Sequence, residues 1–124
     1  MNIVLWIVAA VLALAFLAAG LMKITQPKEK LAASGMGWTE GFGSGAVKAI
    51  GVAEVAGALG LVLPALTGIA PFLVPTAAAG LVLLMIGAAI THLKRGEAQM
   101  VLVNVVLGAL AAFVALGRFG AWAF

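Results

Sequence analysis

The chain has 124 residues, 65% of them hydrophobic and only 9% charged, and a formal net charge of +3 from seven Lys and Arg against four Glu. Soluble domains carry roughly 45–50% apolar and about 25% charged residues, so the composition indicates an integral membrane protein. The bases lie in loops beside apolar runs, which points to a lipid bilayer and excludes a nucleic-acid surface. The absence of cysteine excludes a disulfide framework, thiol redox chemistry, and zinc or iron–sulfur sites held by the chain's own thiolates.

The length accommodates one membrane domain over residues 1–124 with four spans of about 20 residues each. Span 1 is expected at 2–23. It has no basic n-region and a longer apolar core than a secretory signal, so it reads as a retained span. Phe16, Ala19, Gly20 and Lys23 share one face of it, and the small members let a neighbouring helix come close. In the connection that follows, Pro27 suits the first turn of a helix and Glu29 its positive end, with Gly35 as a stop. A short interfacial helix is therefore expected at 27–34, followed by Trp38 at headgroup level and a flexible lead-in at Gly41, Gly43 and Gly45.

Span 2 is expected at 46–63, ending before Pro64. Span 3 follows an uncharged turn at 72–93, with Pro75 in its first turn. Lys94-Arg95-Gly96-Glu97 makes a charged turn, and span 4 covers 98–117. Short links between consecutive spans favour an all-α, up-down-up-down transmembrane four-helix bundle. Lys23, Lys28, Lys30, Lys48, Lys94 and Arg95 fall on one side and Arg118 alone on the other. That asymmetry predicts a multi-pass protein of the cell (inner) membrane with both termini outside. Trp6 and Trp122 then join the outer interface with Arg118, while Trp38, Lys94 and Arg95 occupy the inner one.

Polar residues in the spans are few, and depth brings them together. At ~1.5 Å of rise per residue, Lys23, Glu54, His92, Gln99 and Asn104 all fall in the same half of the bundle. Glu54 is the anomaly from which the cluster is built: it is the one carboxylate in an otherwise apolar helix, on a face with Gly51, Gly57, Ala58 and Leu61. An acid there is costly unless something satisfies it. One reading is structural: Glu54 pairs with Lys23 or His92, Asn104 bridges helices, and each contact contributes on the order of 1 kcal/mol. The other is functional: a polar pocket in which Glu54 and His92 exchange protons or grip a ligand's head. Blander roles suit the individual residues. Lys23 can snorkel, Lys94 and Arg95 can serve as topology signals, and the methionines can serve as packing. One histidine without Cys or Asp makes no metal site, and no catalytic set for hydrolysis is present.

The ordered set resembles the DoxX-like family of small four-span membrane proteins over nearly the whole length. It comprises Phe16-x-x-Ala19-Gly20-x-x-Lys23 and Gly51-x-x-Glu54-x-x-Gly57-Ala58-Leu59-Gly60-Leu61-x-x-Pro64. It continues with Gly80-Leu81, Met85-x-Gly87-Ala88, His92, Gly96-Glu97 and Phe113-Val114-Ala115-x-Gly117-Arg118. The resemblance implies the four-span fold and a membrane location. The family's name derives from quinol-oxidase and thiosulfate–quinone oxidoreductase subunits, and related four-span proteins include a receptor-assembly chaperone in animals.

Two functions are therefore expected to compete. The first is a non-catalytic accessory or assembly subunit that meets other membrane-protein subunits. The second is a quinone-linked redox subunit or a binder of a lipophilic molecule, with Glu54 and His92 at the polar end of an apolar pocket. A quinone would then be a ligand, no cofactor being held by the chain itself, and any redox metal would come from a partner. A small channel or transporter is a weaker third class. Gly and Ala in spans 2 and 3 permit a homodimer without requiring one.

Overall fold

The computed structural model describes residues 1–33 and 36–124, without the side chains of Lys28, Trp38 and Glu40. The described residues form four long helices and two short ones. The order is α1 (Asn2–Thr25), α2 (Lys28–Ala33), a 3₁₀ turn (Gly37–Gly41), α3 (Ser44–Thr67), α4 (Leu73–Lys94) and α5 (Ala98–Phe119). The four long ones are each long and apolar enough to cross a membrane. The expected stop of the short helix at Ser34 and Gly35, and the placement of the Trp38 side chain, lie outside the described residues.

Each long helix buries one stripe. On α1 it is Leu5, Ala9, Leu12, Phe16, Gly20 and Lys23; on α3 it is Val47, Gly51, Glu54, Ala58, Leu61 and Pro64. These three- and four-residue steps are the signature of one helical face. The opposite faces are apolar and uncovered, with Ile3, Leu14, Leu83 and Leu116 all at least 70% exposed. A soluble protein would not show so much apolar surface, whereas lipid accepts it.

α1 packs on α3 and α5, and α4 packs on the same two helices. The contacts between α3 and α4 run in an antiparallel register, with Gly57 against Leu81 and Gly60 against Ala77. At the terminal end of the bundle, Leu5 of α1 lies against Gly117 of α5. That half is filled by Leu5, Leu12, Leu61, Val74, Ala78 and Val114, all buried.

The second span departs from expectation at both ends. It begins at Ser44 and passes through Pro64 to Thr67. A proline in a helix removes one N–H and crowds the carbonyl four residues back, which here belongs to Gly60. Helices in lipid tolerate a proline of this kind within a bundle. The helix stops instead at Gly68, whose φ of +71° is the left-handed cap that glycine adopts without strain. α5 likewise runs two residues past the expected end, to Phe119.

Candidate functional site

The site begins at a close crossing of α1 and α3. A Cβ on Gly20 would lie 2.7 Å from the carbonyl oxygen of Gly51, and one on Gly51 would lie 2.8 Å from that of Gly20. Only two glycines let the backbones meet this closely. One turn further along each helix, the crossing delivers Lys23 to Glu54: Nζ donates to Oε1 at 2.5 Å. Both side chains are buried, at 10% and 4% exposure. Nearby, Lys48 Nζ donates to Ile24 O at 2.9 Å and places a cation on the negative end of α1.

His92 has a different partner. Its Nδ1 lies 2.9 Å from Glu97 Oε1, and Arg95 Nε donates to the same oxygen at 3.0 Å. The backbone makes this possible. α4 ends in paired bonds from Glu97 N to His92 O and from Gly96 N to Leu93 O, with Gly96 at φ +72°. This is a Schellman closure, which folds the chain back over the last turn and returns residue 97 to residue 92. Glu97 lies outside the spans. Its carboxyl is held below the ordinary 4.5 by the hydrogen bond with His92, against some desolvation, with Arg95 assisting. An ionised carboxylate only accepts, so Nδ1 is the protonated nitrogen in this pair.

Asn104 is also buried, at 6% exposure, and its Nδ2 has no hydrogen-bond partner among the described residues. Lys23, Glu54, His92 and Asn104 together line one cavity of about 440 Å³. All four spans contribute to it, and Met36 and Phe42 reach in from the connection between α1 and α3. Apart from Thr91 the rest of the wall is apolar, including Phe16, Leu84, Met85 and Leu107. Leu83 and Met100 belong to the lining and are also exposed, so the cavity communicates with the outside of the bundle.

The sequence-predicted residues therefore divide. Four of the five cluster members meet at this cavity. Gln99 does not: it is exposed in the first turn of α5 and is not part of the lining. Of the two partners considered for Glu54, the structure gives it Lys23, and His92 turns to Glu97. Lys94 and Arg95 are exposed. Arg118, expected as an interface residue, is buried at 5% exposure. Its Nη1 donates to Asn2 Oδ1 at 2.7 Å and to Trp122 O at 2.8 Å, and its guanidinium lies 3.9 Å from the centre of the Phe124 ring. Trp6 meets Phe124 edge-on at 5.8 Å, and Trp122 is exposed. Arg118 thus ties the start of α1 to the tail. Glu97, Met36 and Phe42 were not singled out for the site. Gly96 two residues after a helix end was the one local signal that could have placed Glu97 near His92.

Fold and site together define a four-span helical membrane protein, hollow at the end that carries its basic loops. The model of the DoxX-like family matches residues 7–114, and the chain belongs to that family. No match was found among curated proteins or among solved structures.

Proposed function

We propose that this DoxX-like protein holds a lipophilic small molecule in the loop-end half of its bundle. The observation that carries the reading is the cavity of about 440 Å³ that touches Glu54 and His92 together. Small-molecule sites typically have volumes of roughly 300–1,000 Å³, mostly apolar walls and a few convergent polar groups. The core of the terminal half, by contrast, is occupied by buried Leu5, Leu12, Leu61, Val74, Ala78 and Val114. A quinone is one molecule of this description, and the polar end would face the cytoplasm.

The test is to purify the protein with native lipids, extract them and compare them with bulk membrane by mass spectrometry. One compound should be enriched, and Ala88→Phe, which fills the cavity from its wall, should remove it. An extract indistinguishable from that of an unrelated four-span protein would sink the reading.

A second reading, an accessory or assembly subunit, has its own support. A groove of about 390 Å³ runs between α3 and α4 and is lined by Ala53, Gly57, Gly60, Ala77 and Gly80 among others. Small residues of this kind let another membrane helix approach closely.

A further inference from the structure

The polar end of the cavity carries information about the head of the molecule it would hold. Its charges are already matched: Lys23 donates to Glu54 at 2.5 Å and His92 is bonded to Glu97 at 2.9 Å. The Thr91 hydroxyl already donates its proton to Gly87 O, at 3.0 Å. Asn104 differs. Its side chain is more than nine-tenths buried, it lines the cavity, and its Nδ2 donor has no acceptor among the described residues. A buried N–H left unmade is a standing cost that a bound acceptor would remove. A carboxylate or ammonium head would enter with no counter-charge to spare, and desolvating it at membrane depth is expensive. A head that only donates has nothing to offer Nδ2.

We propose that the cavity takes an uncharged lipophilic molecule whose head is a carbonyl-type hydrogen-bond acceptor, seated on Asn104 Nδ2. The proposal rests on the cavity being a ligand site and adds the chemistry of the head. The apolar body lies against Phe16, Leu84, Met85 and Leu107, and Asn104 is the residue that sets specificity.

Four probes of one shape test it on the full chain in lipid nanodiscs: benzophenone, diphenylmethane, diphenylacetate and protonated diphenylmethylamine. They differ in a carbonyl, a methylene, an anion and a cation on the same body. Of the five methionines, Met36, Met85 and Met100 line the cavity, while Met1 and Met22 do not and serve as internal controls. Their ¹³C-methyl signals report occupancy. The Asn104 side-chain amide, assigned by its loss in Asn104→Leu, reports the head.

Benzophenone is expected to move the three lining methyls and the Asn104 amide saturably. It should bind about tenfold tighter than diphenylmethane, as one neutral hydrogen bond allows. Asn104→Leu should abolish that preference while diphenylmethane still binds. Equal binding of ketone and hydrocarbon to the wild type, or a preference that survives Asn104→Leu, overturns the role of Asn104. Tighter binding of the anion or the cation overturns the neutral class. If no probe moves the lining methyls, the ligand-site reading fails as a whole. Should Asn104→Leu not fold, the ketone–hydrocarbon difference and the wild-type amide shift still decide.

Discussion

At the cavity wall Glu97 holds His92 and Lys23 holds Glu54, and each pair makes a separate prediction. The folded-state carboxyl of Glu97 sits below its ordinary 4.5, chiefly through the hydrogen bond with His92. A depressed carboxylate contributes stability that is present above the unfolded value and lost as pH falls through the folded one. Wild type should therefore melt progressively lower than at neutrality once pH drops below about 4.5. Glu97→Gln should flatten that part of the profile, and thermal unfolding of both proteins in nanodiscs checks it. An unchanged slope in the variant would show that the pair with His92 contributes nothing to acid sensitivity. Lys23 acts by burial. Lys23→Met leaves the Glu54 carboxyl buried without its partner, which should cost about 3–5 kcal/mol. Adding Glu54→Leu should recover most of the loss, because an apolar pair of similar size is often neutral. Sequence depth was enough to bring Lys23, Glu54, His92 and Asn104 to one level, since a helix converts residue number into height. It could not assign partners, because Glu97 reaches His92 only through a left-handed glycine.

The α1–α3 crossing shows how a helix pair positions charges. Gly20 and Gly51 are each within 2.8 Å of a backbone oxygen once a Cβ is imagined, and a backbone oxygen cannot swing aside like a side chain. Gly20→Ala must push the helices apart, at a cost of about 1–3 kcal/mol for overpacking. The same displacement should loosen the Lys23–Glu54 contact. A double-mutant cycle between Gly20→Ala and Lys23→Met should then show coupling above about 0.5 kcal/mol, where independent sites would add. The apolar runs and small-residue faces made the four elements legible, as did Pro75 in the first turn of α4. Pro64 misled, because the steric bias against helix at and before a proline is a preference that packing within a membrane bundle overrides here. The buried face of α3 carries the helix four residues past the expected end, to Thr67, and Gly68 supplies the left-handed cap.

At the scale of the whole molecule, the two ends of the bundle differ in filling and in charge. Leu5, Leu12, Leu61 and Val114 close the terminal half, and Arg118 clamps Asn2 to the tail. The other half holds the cavity and carries the basic loops. A family match over residues 7–114 agrees with the four-span layout, which apolar patterning alone had suggested, but patterning could not reveal a space between helices. Orientation then decides which aqueous phase lies beside Glu97 and the connection that brings Met36 and Phe42 to the cavity wall. Lys23, Lys28, Lys30, Lys48, Lys94 and Arg95 all belong to the loop end, and the positive-inside rule predicts that this end faces the cytoplasm. Arg118 is the sole base at the terminal end and is already engaged by Asn2, Trp122 and Phe124, so it competes little with them. The chain has no cysteine, so single substitutions report without background. In right-side-out vesicles, a membrane-impermeant maleimide should label Ala121→Cys and spare Lys94→Cys until the membrane is permeabilised. The reverse pattern would place the polar end of the cavity outside, where a ligand's head and the Glu97 carboxylate would meet the external medium instead of the cytoplasm.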